Sequence, residues 1–130
     1  MRLSQALCEA ETRRFAYGSH DCCVLAADAI RAMTGRDVLS EFASYKGLAA
    51  MKRIMQAHGG VEGIASSALG PPLETVRTAK RGDIVSVHSV GRKGPDVSLG
   101  VVVGQHAAVA APVGLAYVPM SKWLNAWAVD

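Results

Sequence analysis

Apolar residues recur at helical spacing in the first half of the chain and close to alternation in the second. That change of period is the main structural signal. Ser4 is placed to cap a first helix running to about Arg14. Phe15 to Asp21 has no period and reads as a loop, with Asp21 set to cap a second helix. That helix is predicted over Cys22 to Met33, with Cys22, Leu25, Ala26, Ala29 and Met33 on one face. Gly35 is its stop. A third helix is predicted from Gly47 to His58, with Leu48, Met51 and Met55 inward and Gly59-Gly60 at its end. Val61 to Leu69 reads as a short fourth helix before Pro71-Pro72.

Beyond Arg81-Gly82 the period shortens to two. Ile84, Val85 and Val87 read as a strand, Gly91–Pro95 as a turn, and Val97 to Val103 as a second strand. Ala107 to Ala111 and Gly114 to Pro119 read as a third and fourth. Ala126 to Val129 reads as a last strand after a turn around Ser121–Leu124. Helices first and an antiparallel meander second is the α+β order, here in a single domain over 1–130.

Composition narrows the picture. Half of the 130 residues are hydrophobic and 19% are charged, which is a globular balance and not that of a disordered chain. Only 5% are aromatic, so the core rests on Ala, Val, Leu, Ile and Met, with Trp123 and Trp127 as core or interface anchors. A net charge of +3, without a long basic run, is too mild for a nucleic-acid partner. No stretch is apolar and long enough for stable membrane insertion. The N-terminus runs directly into Glu9 and Glu11 without a signal-peptide core, and three cysteines make no disulfide framework. These features lead to the expectation of a chain made in a reducing cytoplasm without its own signal peptide.

The candidate chemistry lies in Tyr17-Gly18-Ser19-His20-Asp21-Cys22-Cys23. A cysteine in the first turn of a helix meets exposed N–H groups and the positive end of the macrodipole, both of which favour a thiolate. To act as a nucleophile it needs a histidine base nearby. The same residue also reads as a small buried hydrophobe, the usual state of a cysteine without chemistry. Cys23, one step round the helix, reads as packing. His20, Cys22 and Cys23 lack a second ligand pair at zinc spacing, so neither a metal nor a cofactor is expected.

With these residues in order, the chain resembles the small phage-tail relatives of the NlpC-type, papain-like cysteine peptidases. Tyr17-Gly18…Asp21-Cys22 is similar to the aromatic-Gly…Asp-Cys signature that opens that family's catalytic helix. Thr34-Gly35-Arg36-Asp37 and Tyr45 come next as in the phage-borne branch. Arg81-Gly82-Asp83-Ile84-Val85 matches the Gly-Asp that opens the first strand, and Leu99-Gly100-Val101-Val102-Val103-Gly104 matches the strand that normally begins His-Val-Gly. Gly114-Leu115 and Ala126-Trp127 also fit.

The resemblance implies a papain-like NlpC-type fold, with N-terminal helices packed on a small C-terminal antiparallel sheet. It also implies a place in the virion tail or tail tip, other tail proteins as partners, and host peptidoglycan as the family's substrate. One departure matters: Ser98 stands where the family has its catalytic histidine, and serine is no general base near neutral pH. Two histidines remain as bases for Cys22. His20 lies two residues before it, and His88 ends the strand expected to pair beside Ser98. His106 lies too far along, and His58 ends another helix. Two functions are expected in consequence: a structural or docking module with a degenerate site, or an active hydrolase cutting stem peptides.

Overall fold

In the computed structural model, which describes residues 2–14, 21–38, 47–89 and 97–129, the change of period at Gly82 separates four helices from five strands. The helices are α1 (Arg2–Ala10), α2 (Cys22–Thr34), α3 (Gly47–His58) and α4 (Gly60–Leu69). The strands are β1 (Ile84–His88), β2 (Val97–Val102), β3 (His106–Ala110), β4 (Leu115–Pro119) and β5 (Asn125–Trp127). The expected loop at Phe15–His20, Tyr45, the turn at Gly91–Pro95 and the side chains of Leu48 and Met51 lie outside the described residues. No helix among the described residues is long and apolar enough to cross a membrane.

The class is α+β, with all strand pairs antiparallel. The strand order β4-β3-β2-β1-β5 departs from a plain meander, because β5 returns to the free side of β1. A short 3-10 turn at Met120–Lys122 opens that return, and Leu124 N–H donates to Ser86 O at 2.8 Å.

α1 also differs from expectation. Ser4 lies inside the helix and accepts a hydrogen bond from Arg81 at 2.7 Å. The helix stops at Ala10, not near Arg14, because Arg14 bridges to Val113 and Gly114 N–H donates to Arg13 O at 2.7 Å. A tertiary contact with the β3–β4 hairpin outcompetes another helical turn.

Both faces of the sheet are covered, which explains why β1 and β2 are apolar on both sides. On one face Ile84, Leu99, Val101, Ala108, Ala110 and Trp127 meet α2 and α4, and α1 packs on α2 from outside. On the other, Val85, Val87, Val102, Ala107, Val109 and Val118 are roofed by Trp123, Leu73, Val76 and Met120. Both tryptophans are therefore core residues of this chain rather than exposed anchors. α2 is buried almost all round, since it lies between α1 and the sheet.

Polar groups tie the layers together. The Asp83 carboxylate is buried and accepts from the N–H groups of Lys80 and Val129 at 2.9 and 3.2 Å, so it anchors both the entry to β1 and the end of the chain. Glu62 on α4 accepts from the Ser86 hydroxyl at 2.8 Å and from Asn125 Nδ2 at 2.7 Å. The exposed edge of β4 ends in Pro119, which has no N–H to offer another strand; that, with its five residues, blunts edge-to-edge pairing.

Candidate functional site

The head of α2 is built as its residues dictate. Asp21 has extended backbone and caps the helix: its carboxylate accepts from Val24 N–H at 2.9 Å and its carbonyl accepts from Leu25 N–H at 2.9 Å. Gly35, at φ 79°, closes the other end by donating its N–H to Arg31 O. Cys22 is thus the first residue of the helix packed on β2, as its spacing predicts.

The thiols of Cys22 and Cys23 are both buried, only 3% and 8% exposed, and no disulfide joins them.

The sheet decides which residues share this end of the domain. Met33, near the end of α2, packs directly on Gly82, whose N–H donates to Val102 O at the end of β2. Cys22 therefore lies about 16 Å back along the helix, at 1.5 Å per residue. α2 makes most of its sheet contacts with β2 and so follows that strand, which sets Cys22 toward the end where β2 begins and β1 stops, with Val97 opposite His88.

Ser98 belongs to the other face. It pairs directly with Val87, and directly opposed residues of antiparallel strands project to the same side. Val87 belongs to the cluster roofed by Trp123, away from α2. Gly100, two residues on, faces the same way: a Cβ there would stand 2.9 Å from Val109 Cγ1. Ser98 is buried, and its hydroxyl lies 2.6 Å from that of Ser89. The sheet thus stands between Ser98 and the helix that carries Cys22.

Of the two candidate bases, His20 lies outside the described residues. His88 is exposed, and its register with Val97, which packs on the helix-side core, sets it at the Cys22 end of the sheet. His106 is exposed at the opposite end, paired with Pro119. His58 closes α3. Among the described residues no group of three or more His, Cys, Asp or Glu could hold a metal ion.

Sequence reading missed the Glu62–Ser86–Asn125 link. The signal was present, since Ser86 is a polar residue at the same inward parity as Ile84. It also missed a cleft bordered by His88, Lys122 and Trp123, which forms only when β5 returns beside β1.

Burial makes a direct prediction for the thiols. In native protein a thiol reagent is expected to modify Cys8 alone, because Cys8 is exposed while Cys22 and Cys23 are covered. All three should react after unfolding in guanidinium. Mass spectrometry of the labelled peptides checks this, and rapid native labelling of Cys22 would contradict it.

Fold and site together describe an α+β domain with a capped cysteine at the head of its central helix. The model of a family described as a domain of unknown function, DUF6950, matches residues 1–129, and the chain belongs to that family. No curated protein and no solved structure matches it.

Proposed function

We propose that this chain is a phage or prophage tail component with an NlpC-like, papain-type architecture, serving as a structural or docking module whose cysteine-peptidase site is degenerate. Its partners are other tail proteins, and its place is the virion tail. The motif resemblance supports the architecture, together with Asp21 capping a helix that begins at Cys22 and packs on an antiparallel sheet. The observation that carries the loss of chemistry is Ser98. The position where the resemblance implies a base holds a buried serine paired with Val87 on the face away from α2. A serine hydroxyl cannot take the thiol proton near neutral pH, and a residue on the wrong face cannot reach it.

A second reading rests on His88. Its register at the Cys22 end of the sheet favours an active hydrolase in which Cys22 attacks a stem-peptide carbonyl and His88 accepts the thiol proton. The head of α2 would then help to stabilise the oxyanion. His20 is the other candidate base of that reading.

Muropeptide release from purified cell wall separates the two. The parent, Cys22→Ala, His20→Ala, His88→Ala and Ser98→His are all expected to release nothing. Ser98→His is expected to gain nothing because its imidazole would project into the Val87 cluster. Release by the parent that is lost in Cys22→Ala and in one histidine variant would overturn the degenerate reading and identify the base. The virion assignment is tested by mass spectrometry of purified particles and by pull-down with neighbouring tail proteins. Absence from particles, with no tail protein retained, would refute it.

A further inference from the structure

We propose that the cleft bordered by His88, Val118, Ser121, Lys122, Trp123 and Leu124 binds the C-terminal end of a peptide that finishes in an apolar residue. This site goes beyond the tail-module reading and holds whether or not Cys22 reacts. The cleft encloses about 440 Å³, within the range of pockets that hold small ligands. Its floor is apolar and fixed. Val118 and Trp123 are buried, and the Trp123 indole N–H donates to Val118 O at 2.9 Å, which locks the ring in place. Leu124 stays 39% exposed at the rim, one of the few large apolar side chains left uncovered among the described residues.

Among the described residues that line the cleft, Lys122 supplies an ammonium and Ser121 a hydroxyl, both exposed, and none carries a carboxylate. Ser121 and Lys122 sit in the 3-10 turn Met120–Lys122, which is held at both ends. Met120 N–H donates to Gln105 O at 2.9 Å, and Trp123 N–H donates to Met120 O at 3.1 Å. The backbone that carries these two side chains is thereby held beside an apolar floor before any ligand arrives, which lowers the ordering cost of binding. A ligand that answers both halves carries an anion next to an apolar group. The last residue of a peptide does so, with its free carboxylate toward Lys122 and Ser121 and its side chain over Trp123 and Leu124.

Titration calorimetry on the whole chain tests this with acetyl-Ala-Ala-Leu carrying a free carboxylate, its C-terminal amide, and acetyl-Ala-Ala-Ser. The free acid ending in leucine is expected to bind saturably. The amide and the serine peptide should each be weaker by about tenfold or more. Lys122→Glu should weaken the acid by a similar factor with an unchanged circular dichroism spectrum and melting temperature, since Lys122 is exposed. No saturable binding at millimolar peptide, equal affinity for acid and amide, or a Lys122→Glu variant that binds as the parent does would each overturn the proposal.

Discussion

Trp127→Ala is expected to lose about 3–5 kcal/mol of folding stability, the usual cost of removing a fully buried tryptophan. Trp127 is 1% exposed, lies opposite Ile84 in the β1–β5 pair, and donates its indole N–H to Ser66 on α4 at 3.0 Å. It therefore holds a three-residue edge strand and a helix together, and the cavity left by alanine would open both contacts. Trp127→Phe keeps most of the apolar burial and should lose about 0.5–1.5 kcal/mol for the missing hydrogen bond, plus the cost of the volume left empty. Domains of this size have about 5–15 kcal/mol in total, so the alanine variant should be partly unfolded or close to it at 37 °C. Urea denaturation followed by circular dichroism measures both. A loss below about 1 kcal/mol for alanine would mean that β5 does not dock as described.

Gly114→Ala is expected to lose about 2–5 kcal/mol of folding stability. Two effects combine. Gly114 has φ 71°, where an L-residue costs about 1–2 kcal/mol. A Cβ there would also run into the backbone carbonyl of Glu11, an overlap that costs about 1–3 kcal/mol because a backbone cannot swing aside as a side chain can. Gly35→Ala is the internal comparison. It has φ 79° but open space where the Cβ would go, so it should lose only the conformational part, about 1–2 kcal/mol. The difference between the two variants in the same denaturation experiment isolates the close approach of the segment after α1 to the β3–β4 hairpin. Equal losses would show that this approach is absent in solution.

The legible features share one property, which is that local chemistry specifies them. The helix beginning at Cys22 arises from apolar spacing, an aspartate before it and a glycine after it, and all three take their expected places. β1, β2 and β4 arise from short apolar runs between turn residues, with bounds off by a residue or so. Asp83 was legible only as the residue that opens the first strand. Its carboxylate reaches Val129, a residue far along the chain that no local pattern connects to it. β5 was read as a strand, but its place beside β1 was not, since a three-residue segment has no preference for one free edge over the other.

The candidate site divides in the same way. Cys22 at a helix head is a local fact, and the sequence alone determined it through Asp21, the spacing of Leu25, Ala26 and Ala29, and Gly35. Period two likewise determined that Ser98 and Gly100 share one face of β2 while Leu99 and Val101 share the other. What period two cannot state is which face meets the helices, because both are apolar: Val85 and Val87 are as hydrophobic as Ile84 and Leu99. Only the tertiary structure decided it, by laying α2 and α4 on Leu99 and Val101 and folding 73–79 and 120–123 over Val85 and Val87. That choice sends Ser98 away from Cys22 and leaves His88 at the Cys22 end. It is made by the packing of whole layers, whose energy is summed over contacts between residues distant in the chain.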